Sequence, residues 1–288
     1  MSKSITIAYK EVFKMIPSWY LERPLGEYTA AYSVKAGKEM PIEKATSGGA
    51  ITAILCYLIE NDIIDGVIAT KKAKGLQGEV IVAKTKDEII SSAGSRWQVL
   101  PFTLKLKETI EKENLRRIAI VGLPCQINFL RQMKTYPLLE TDFSNRIKYL
   151  ISLFCFGTFA QESILDYVKY KYGVSASDIK EVKIGQREIK FNGEKEIRVP
   201  FDELNKYLQV GCLLCPDYCG SASDISAGFT EKKTVIIIRN EEVNKMLKEA
   251  CDRNYIEMEE IGEENIKEIE KRAIEKINRA SKYVSLFL

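Results

Sequence analysis

Arg116-Arg117-Ile118-Ala119-Ile120-Val121-Gly122-Leu123-Pro124-Cys125 reads as a short buried strand behind two cations, stopped by a glycine and a proline where a cysteine arrives. Before it, residues 104–114 carry a helical pattern; after it, a strand over 148–154 runs into Cys155 and a helix is expected over 161–172. Further upstream, residues 47–60 read as a glycine turn feeding an apolar helix that ends near Asn61-Asp62, and Ile63-Ile64-Asp65-Gly66-Val67-Ile68-Ala69 begins a strand. A second strand is expected over 79–84, with Thr85-Lys86-Asp87-Glu88 as the capping box of the helix that follows. Strand and helix in alternation predict an α/β fold, a mixed sheet flanked by helices. Asn192-Gly193 marks a hairpin within 180–200, and from Asn240 a charged tail rich in Glu and Lys reads as helical, ending in Val284-Ser285-Leu286-Phe287-Leu288.

Composition narrows the chemistry. The chain has 288 residues, 43 Lys and Arg against 40 Asp and Glu, and a formal charge of +3, a balance that argues against nucleic acid as the main partner. Apolar runs such as Val235-Ile236-Ile237-Ile238 have strand length, far short of the roughly 20 residues of a membrane span. The start, Met1-Ser2-Lys3-Ser4, lacks a secretory pattern, so a cytoplasmic protein with reduced cysteines is expected. Histidine is absent, which excludes imidazole acid–base catalysis, Ser-His-Asp and Cys-His pairs, and imidazole-held zinc or haem.

Seven cysteines remain to be explained. In Cys212-Leu213-Leu214-Cys215-Pro216-Asp217-Tyr218-Cys219, two thiolates separated by two residues can reach one metal centre, and Pro after a ligand cysteine is a familiar neighbour of iron–sulfur clusters. That spacing alone also fits zinc or a redox disulfide. Cys125 and Cys155 each follow a predicted strand; adjacent strand ends would bring them to the pair, giving the four thiolates of a [4Fe-4S] cube. Cys56, in an apolar helix, and Cys251, in a charged one, read as packing residues, and Cys219 as a reserve ligand. A second constellation, Thr46-Ser47-Gly48-Gly49-Ala50 with Thr52 in the same helix start, could present backbone N–H groups to a phosphate, although such turns more often serve geometry alone. Ser92-Ala93-Gly94-Ser95-Arg96-Trp97 offers an Arg for a phosphate and a ring for stacking, or is an ordinary loop; Gly122-Leu123-Pro124 lies at a strand end, where α/β sheets bind ligands.

Taken in order, Ser47-Gly48-Gly49, Ile63-Ile64-Asp65-Gly66, Gly94-Ser95-Arg96, Gly122-Leu123-Pro124-Cys125-Gln126, Leu153-Phe154-Cys155, Gly211-Cys212-Leu213-Leu214-Cys215-Pro216-Asp217 and Ala222-Ser223-Asp224-Ile225-Ser226 resemble the coenzyme F420 hydrogenase/dehydrogenase beta-subunit family over about residues 28–240. The resemblance implies a flavoprotein that binds FAD and a [4Fe-4S] cluster and exchanges a hydride with coenzyme F420 as substrate. It implies Cys125, Cys155, Cys212 and Cys215 as cluster ligands, with Ser47, Gly48, Gly49 and Gly94 near FAD; Thr52, Ser95, Arg96 and Pro124 join them as candidate cofactor contacts. Electrons would pass to a redox partner subunit such as a hydrogenase or formate dehydrogenase in a hetero-oligomer. The implied division is an N-terminal extension (1–27), an FAD and iron–sulfur core (28–240) with a smaller cluster-binding part, and a helical C-terminal segment (241–288). No CxxCxxC ferredoxin stretch precedes the core, so one cluster is expected. The rival readings are a flavin and iron–sulfur reductase of another organic substrate, and a structural zinc module on Cys212, Cys215, Cys219 and one further thiolate.

Overall fold

In the computed structural model, which describes residues 22–38, 40, 48–73, 76–94, 99–136, 142–185, 188–229 and 234–284, the strand β4 (Ile118–Gly122) hydrogen-bonds in parallel on both sides. Its neighbours are β2 (Gly66–Lys72) and β5 (Ile147–Leu153), and β5 pairs in parallel with β9 (Ile225–Phe229). Antiparallel strands extend this parallel centre at both edges. β3 (Gly78–Ala83) lies beyond β2, and β10 (Thr234–Ile238), β1 (Ala30–Ala36) and β11 (Ile256–Glu260) lie beyond β9, giving the order β11-β1-β10-β9-β5-β4-β2-β3. Such a strand centre must be covered on both faces, which is why Ile118–Ile120 and all of β10 are buried and read as continuous apolar runs. A separate antiparallel meander, β6 (Glu181–Ile184), β7 (Glu188–Asn192) and β8 (Glu196–Pro200), holds the expected hairpin, turning through residues 193–195.

Local chemistry accounts for the helix starts. At Lys86–Ser91 the capping box is complete: Glu88 N donates to Thr85 Oγ1 at 3.3 Å and Thr85 N to the Glu88 carboxylate at 3.1 Å. Pro124 occupies the first position of helix Pro124–Thr135, where its missing N–H costs nothing. Asn240 caps helix Glu241–Asp252 by accepting from Val243 N at 2.8 Å. The helix read over 104–114 is shorter in its α-helical part, with a 3₁₀ turn at Phe102–Lys105 leading into Leu106–Lys112.

One face of the sheet is covered by helices Ala50–Glu60 and Glu241–Asp252, whose Ile54, Leu58, Val243 and Leu247 pack on Ala119, Ile151, Ile225 and Ile236. The opposite face has two covers. Helices Leu106–Lys112 and Pro124–Thr135 close it over Ile68, Ile118 and Ile120. Helix Glu263–Val284 closes it over Val235 and Ile237 through Ile269 and Ala273. The tail read as wholly helical therefore also contains a strand: β11 adds to the sheet edge against β1, after Asn254, at φ 61°, turns the chain out of the preceding helix. Helix Gln161–Tyr172 packs with the meander in a smaller core of Ile164, Val168, Phe191 and Val199. Among the described residues no helix is long and apolar enough to cross a membrane.

Candidate functional site

Parallel pairing of β4 with β5 sets Gly122 beside Ser152, so both strands end at the same edge and hand their chains to Cys125 and Cys155. Cys125 sits in the first turn of helix Pro124–Thr135; Cys155 lies just past β5, in a loop. Cys155 N donates to the carbonyl of Tyr218 at 2.9 Å, which ties this loop to the Cys212–Cys219 segment. Cys212 lies in the short helix Val210–Leu214 and Cys215 directly after it. The Cys212 sulfur accepts from Thr158 N at 3.3 Å and has the Thr158 hydroxyl 3.1 Å away. All four thiols are near enough to act on one another electrostatically. Burial first, then the thiols of Cys215 and Cys212, push the Cys125 thiol up. Cys155 is pushed up to about 11, by burial and then by Cys212, Cys215 and Cys125, with Lys276 opposing. Positive charge close by opposes such shifts and favours the thiolate.

That charge comes from helix Glu263–Val284. Lys276 is 1% exposed, and its ammonium donates to the carbonyls of Cys155 and Asp217, each at 2.6 Å. Arg279 donates to the carbonyls of Phe156 and, at 3.2 Å, Cys212, and its guanidinium lies 4.3 Å from the centre of the Phe156 ring. Its Nε and Nη1 are buried without a hydrogen-bond partner. Among the described residues neither cation meets a carboxylate; the Asp217 carboxylate is taken by the N–H groups of Gly220, at 2.7 Å, and Ser221. A buried and a partly buried cation beside four thiols, with no carboxylate among the described residues, form a site that suits an anionic occupant, and thiolate-bound iron and sulfide carries negative charge. The residues present thus fit an iron–sulfur cluster. The sequence reading missed Lys276, Arg279 and Thr158. For Lys276 a signal exists: it falls on the apolar stripe of Ile269, Ala273, Ile277, Ala280 and Val284, where a lysine needs a reason.

The other cysteines have different surroundings. Cys219 is fully buried among Leu25, Tyr218, Val235 and Ile237, and burial pushes its thiol up; the charges acting on it are Asp217, Arg239 and Lys276, with no other thiol among them. Cys56 lies inside the core under helix Ala50–Glu60, pushed up to about 12 by burial, and Cys251 packs half-buried against the same core. Among the described residues no three Cys, Asp or Glu side chains are grouped closely enough for a single metal ion. A cube asks for a wider arrangement, one thiolate to each iron.

Gly48 and Gly49 are both left-handed, at φ 87° and 69°, and Gly49 precedes helix Ala50–Glu60 with no side chain to cap it. A Cβ on Gly48 would come within 3.2 Å of Lys35 Cβ. Lys35 lies near the C-terminal end of β1, which runs parallel to β5 across β10 and β9, so the start of this helix lies at the sheet edge where β4 and β5 finish. Thr52 is half-buried in its first turn, Gly94 is left-handed at φ 111°, and Pro124 is buried beside Cys125. Ser47, Ser95 and Arg96 lie outside the described residues.

Comparison with known proteins gives the family and the fold. The chain matches the models for the coenzyme F420 hydrogenase/dehydrogenase beta subunit, N-terminal part over residues 31–107 and C-terminal part over 115–264. It is 26% identical over 268 residues to the coenzyme F420 hydrogenase subunit beta of Methanothermobacter thermautotrophicus, covering 91% of this chain and 95% of the relative. It is 30% identical over 253 residues to the coenzyme F420-dependent sulfite reductase of Methanocaldococcus jannaschii, covering 82% of this chain and 38% of that longer protein. A chain in the F420-reducing [NiFe] hydrogenase complex from Methanosarcina barkeri superposes with a TM-score of 0.82 at 27% identity, over 91% of this chain and 92% of its own length. With both halves of the family's sequence matched and its fold shared, the chain belongs to the coenzyme F420 hydrogenase/dehydrogenase beta-subunit family.

Proposed function

We propose that this chain is an oxidoreductase subunit that passes electrons between coenzyme F420 and a partner subunit, using FAD and one [4Fe-4S] cluster. The observation that carries the reading is the gathering of Cys125, Cys155, Cys212 and Cys215 around the buried Lys276 and the partly buried Arg279, neither of which meets a carboxylate among the described residues. Its relatives include beta subunits of an F420 hydrogenase and of an F420-dependent formate dehydrogenase, which supports an F420-linked role in a complex. A hydrogenase, a formate dehydrogenase or a similar enzyme is the partner this implies, and cytoplasm the compartment. When bound, FAD supplies the exchange between a hydride-borne electron pair and single electrons, and the cluster a one-electron store.

The chain's own groups do the rest. The four cysteines would hold the irons, and Thr158 N–H donates to the Cys212 sulfur, fixing where that sulfur points. Gly48 and Gly49, which keep the approach to the helix start free of side chains, take the FAD pyrophosphate on the N–H groups of Ala50–Glu60, with Thr52 beside them. Gly94, Ser95 and Arg96 would supply a second phosphate contact, and Pro124 a further contact to the cofactor. No side-chain acid is needed for hydride exchange, in keeping with the absence of histidine.

The test is anaerobic purification with iron, zinc and flavin quantitation and an absorption spectrum, before and after adding reduced F420. About four irons and one flavin per chain, both bleaching, is the expected result. Zinc without flavin would refute the reading and leave a structural metal module. Flavin and iron that bleach with another organic reductant and not with F420 would move the substrate.

A further inference from the structure

We propose that Lys276 and Arg279 are positioning residues that set the reduction potential of the cluster, holding it higher than the four cysteines alone would. The inference rests on the cluster reading above.

Three observations carry it. First, both cations come from one rigid element, the 22-residue helix Glu263–Val284, whose Ile269 and Ala273 are anchored in the core under β10. Second, each grips the backbone of ligand-bearing loops: Lys276 holds the carbonyls of Cys155 and Asp217, and Arg279 those of Phe156 and Cys212. The positive charge is thereby fixed relative to the sulfurs, since the same hydrogen bonds that place the cations place the cysteines. Third, neither cation is neutralised by a carboxylate among the described residues, and Arg279 keeps two buried nitrogens, Nε and Nη1, without partners. An interior charge left without its counter-charge is unfavourable in the folded chain unless an anion arrives.

The direction follows from charge. Reduction adds one electron to an already anionic centre; a fixed positive charge nearby favours the more negative, reduced form, so the potential rises. No proton or further reactant enters the step.

The experiment is a redox titration of the full-length chain purified anaerobically, following the electron paramagnetic resonance signal of the reduced cluster, with iron content measured on each sample. Arg279→Gln and Lys276→Gln are expected to retain iron and to lower the midpoint so that the reduced-to-oxidised ratio at fixed potential falls at least tenfold, about 59 mV for a one-electron couple. Arg279→Lys, which keeps the charge, recovers most of that shift. Lys271→Gln, which removes an exposed cation of the same helix, leaves the midpoint unmoved. Should Lys276→Gln fail to fold, the two Arg279 variants decide. A wild-type midpoint in Arg279→Gln, or the same fall in Arg279→Lys as in Arg279→Gln, overturns the inference. A wild-type chain without iron would instead overturn the cluster reading, and this inference with it.

Discussion

The two faces of the eight-stranded sheet are made by alternate residues of the same strands, and they hold different interiors. In β9, Ile225 and Ala227 point to the face under helices Ala50–Glu60 and Glu241–Asp252, while Ser226 and Gly228 point to the other; in β5 the same pleat divides Ile151 from Ser152. The first face is hydrocarbon, with Ile54, Leu55, Cys56 and Leu58 buried and its one interior thiol simply packed. The second, under helix Glu263–Val284, contains Ser152, Ser226, Arg239 and Lys276 as well as apolar side chains. Gly220 and Gly228 are needed there because a Cβ would strike Ser152 Oγ at 2.0 Å and the Phe154 ring at 1.9 Å. The contrast separates the tasks: one face supplies the fold's stability, and the other gives up hydrocarbon packing to hold charge beside the cysteines.

The sharpest way to break this division is Cys212→Ala. Iron is expected to fall from about four to under one per chain while flavin occupancy is kept, because the substitution touches only the polar face. Full iron retention would remove Cys212 from the ligand set. On the hydrocarbon face, Ile54→Ala should cost about 2–5 kcal/mol in denaturant unfolding, through lost burial and the cavity left behind, with iron per folded chain unchanged. Loss of iron at full stability in that variant would contradict the separation. The smallest effect is a pH dependence at the rim of the hydrocarbon face. Glu88 accepts from the backbone N–H of Lys84, at 2.7 Å, and of Thr85, and these bonds hold its carboxyl below the ordinary carboxylate range. A carboxyl lowered by folding stabilises the folded chain above its unfolded pKa, and this contribution is lost as pH falls through the folded value. Acid titration of stability should therefore be slightly less steep in Glu88→Gln than in the wild type, and identical acid limbs would rule the contribution out.

Much of this arrangement was legible along the chain. The strand at 118–121, the capping box at Thr85 and the helix over 161–172 rest on nearest-neighbour chemistry and appear where the pattern put them. The edge strand β11 was hidden because Ile256-Glu257-Met258-Glu259 is a short alternation between two long charged helices, and its partner β1 lies more than 200 residues earlier. The two cations were harder to find: Lys276 shows only as a lysine on the apolar stripe of its helix, and nothing local distinguishes Arg279 from the solvated charges that fill the rest of it.

Hydrophobic periodicity and turn chemistry act over a few residues, so local order was enough to specify the α/β alternation, the strand ends that carry Cys125 and Cys155, and the CxxCP pair. Which strands became neighbours, which thiols met and which charges faced them emerged only with the assembled sheet. Pairing β4 with β5 and laying the last helix across the Cys212 loop joins residues 121 positions apart, and burial there takes ordinary surface residue types, Lys276 fully and Arg279 in part, out of solvent.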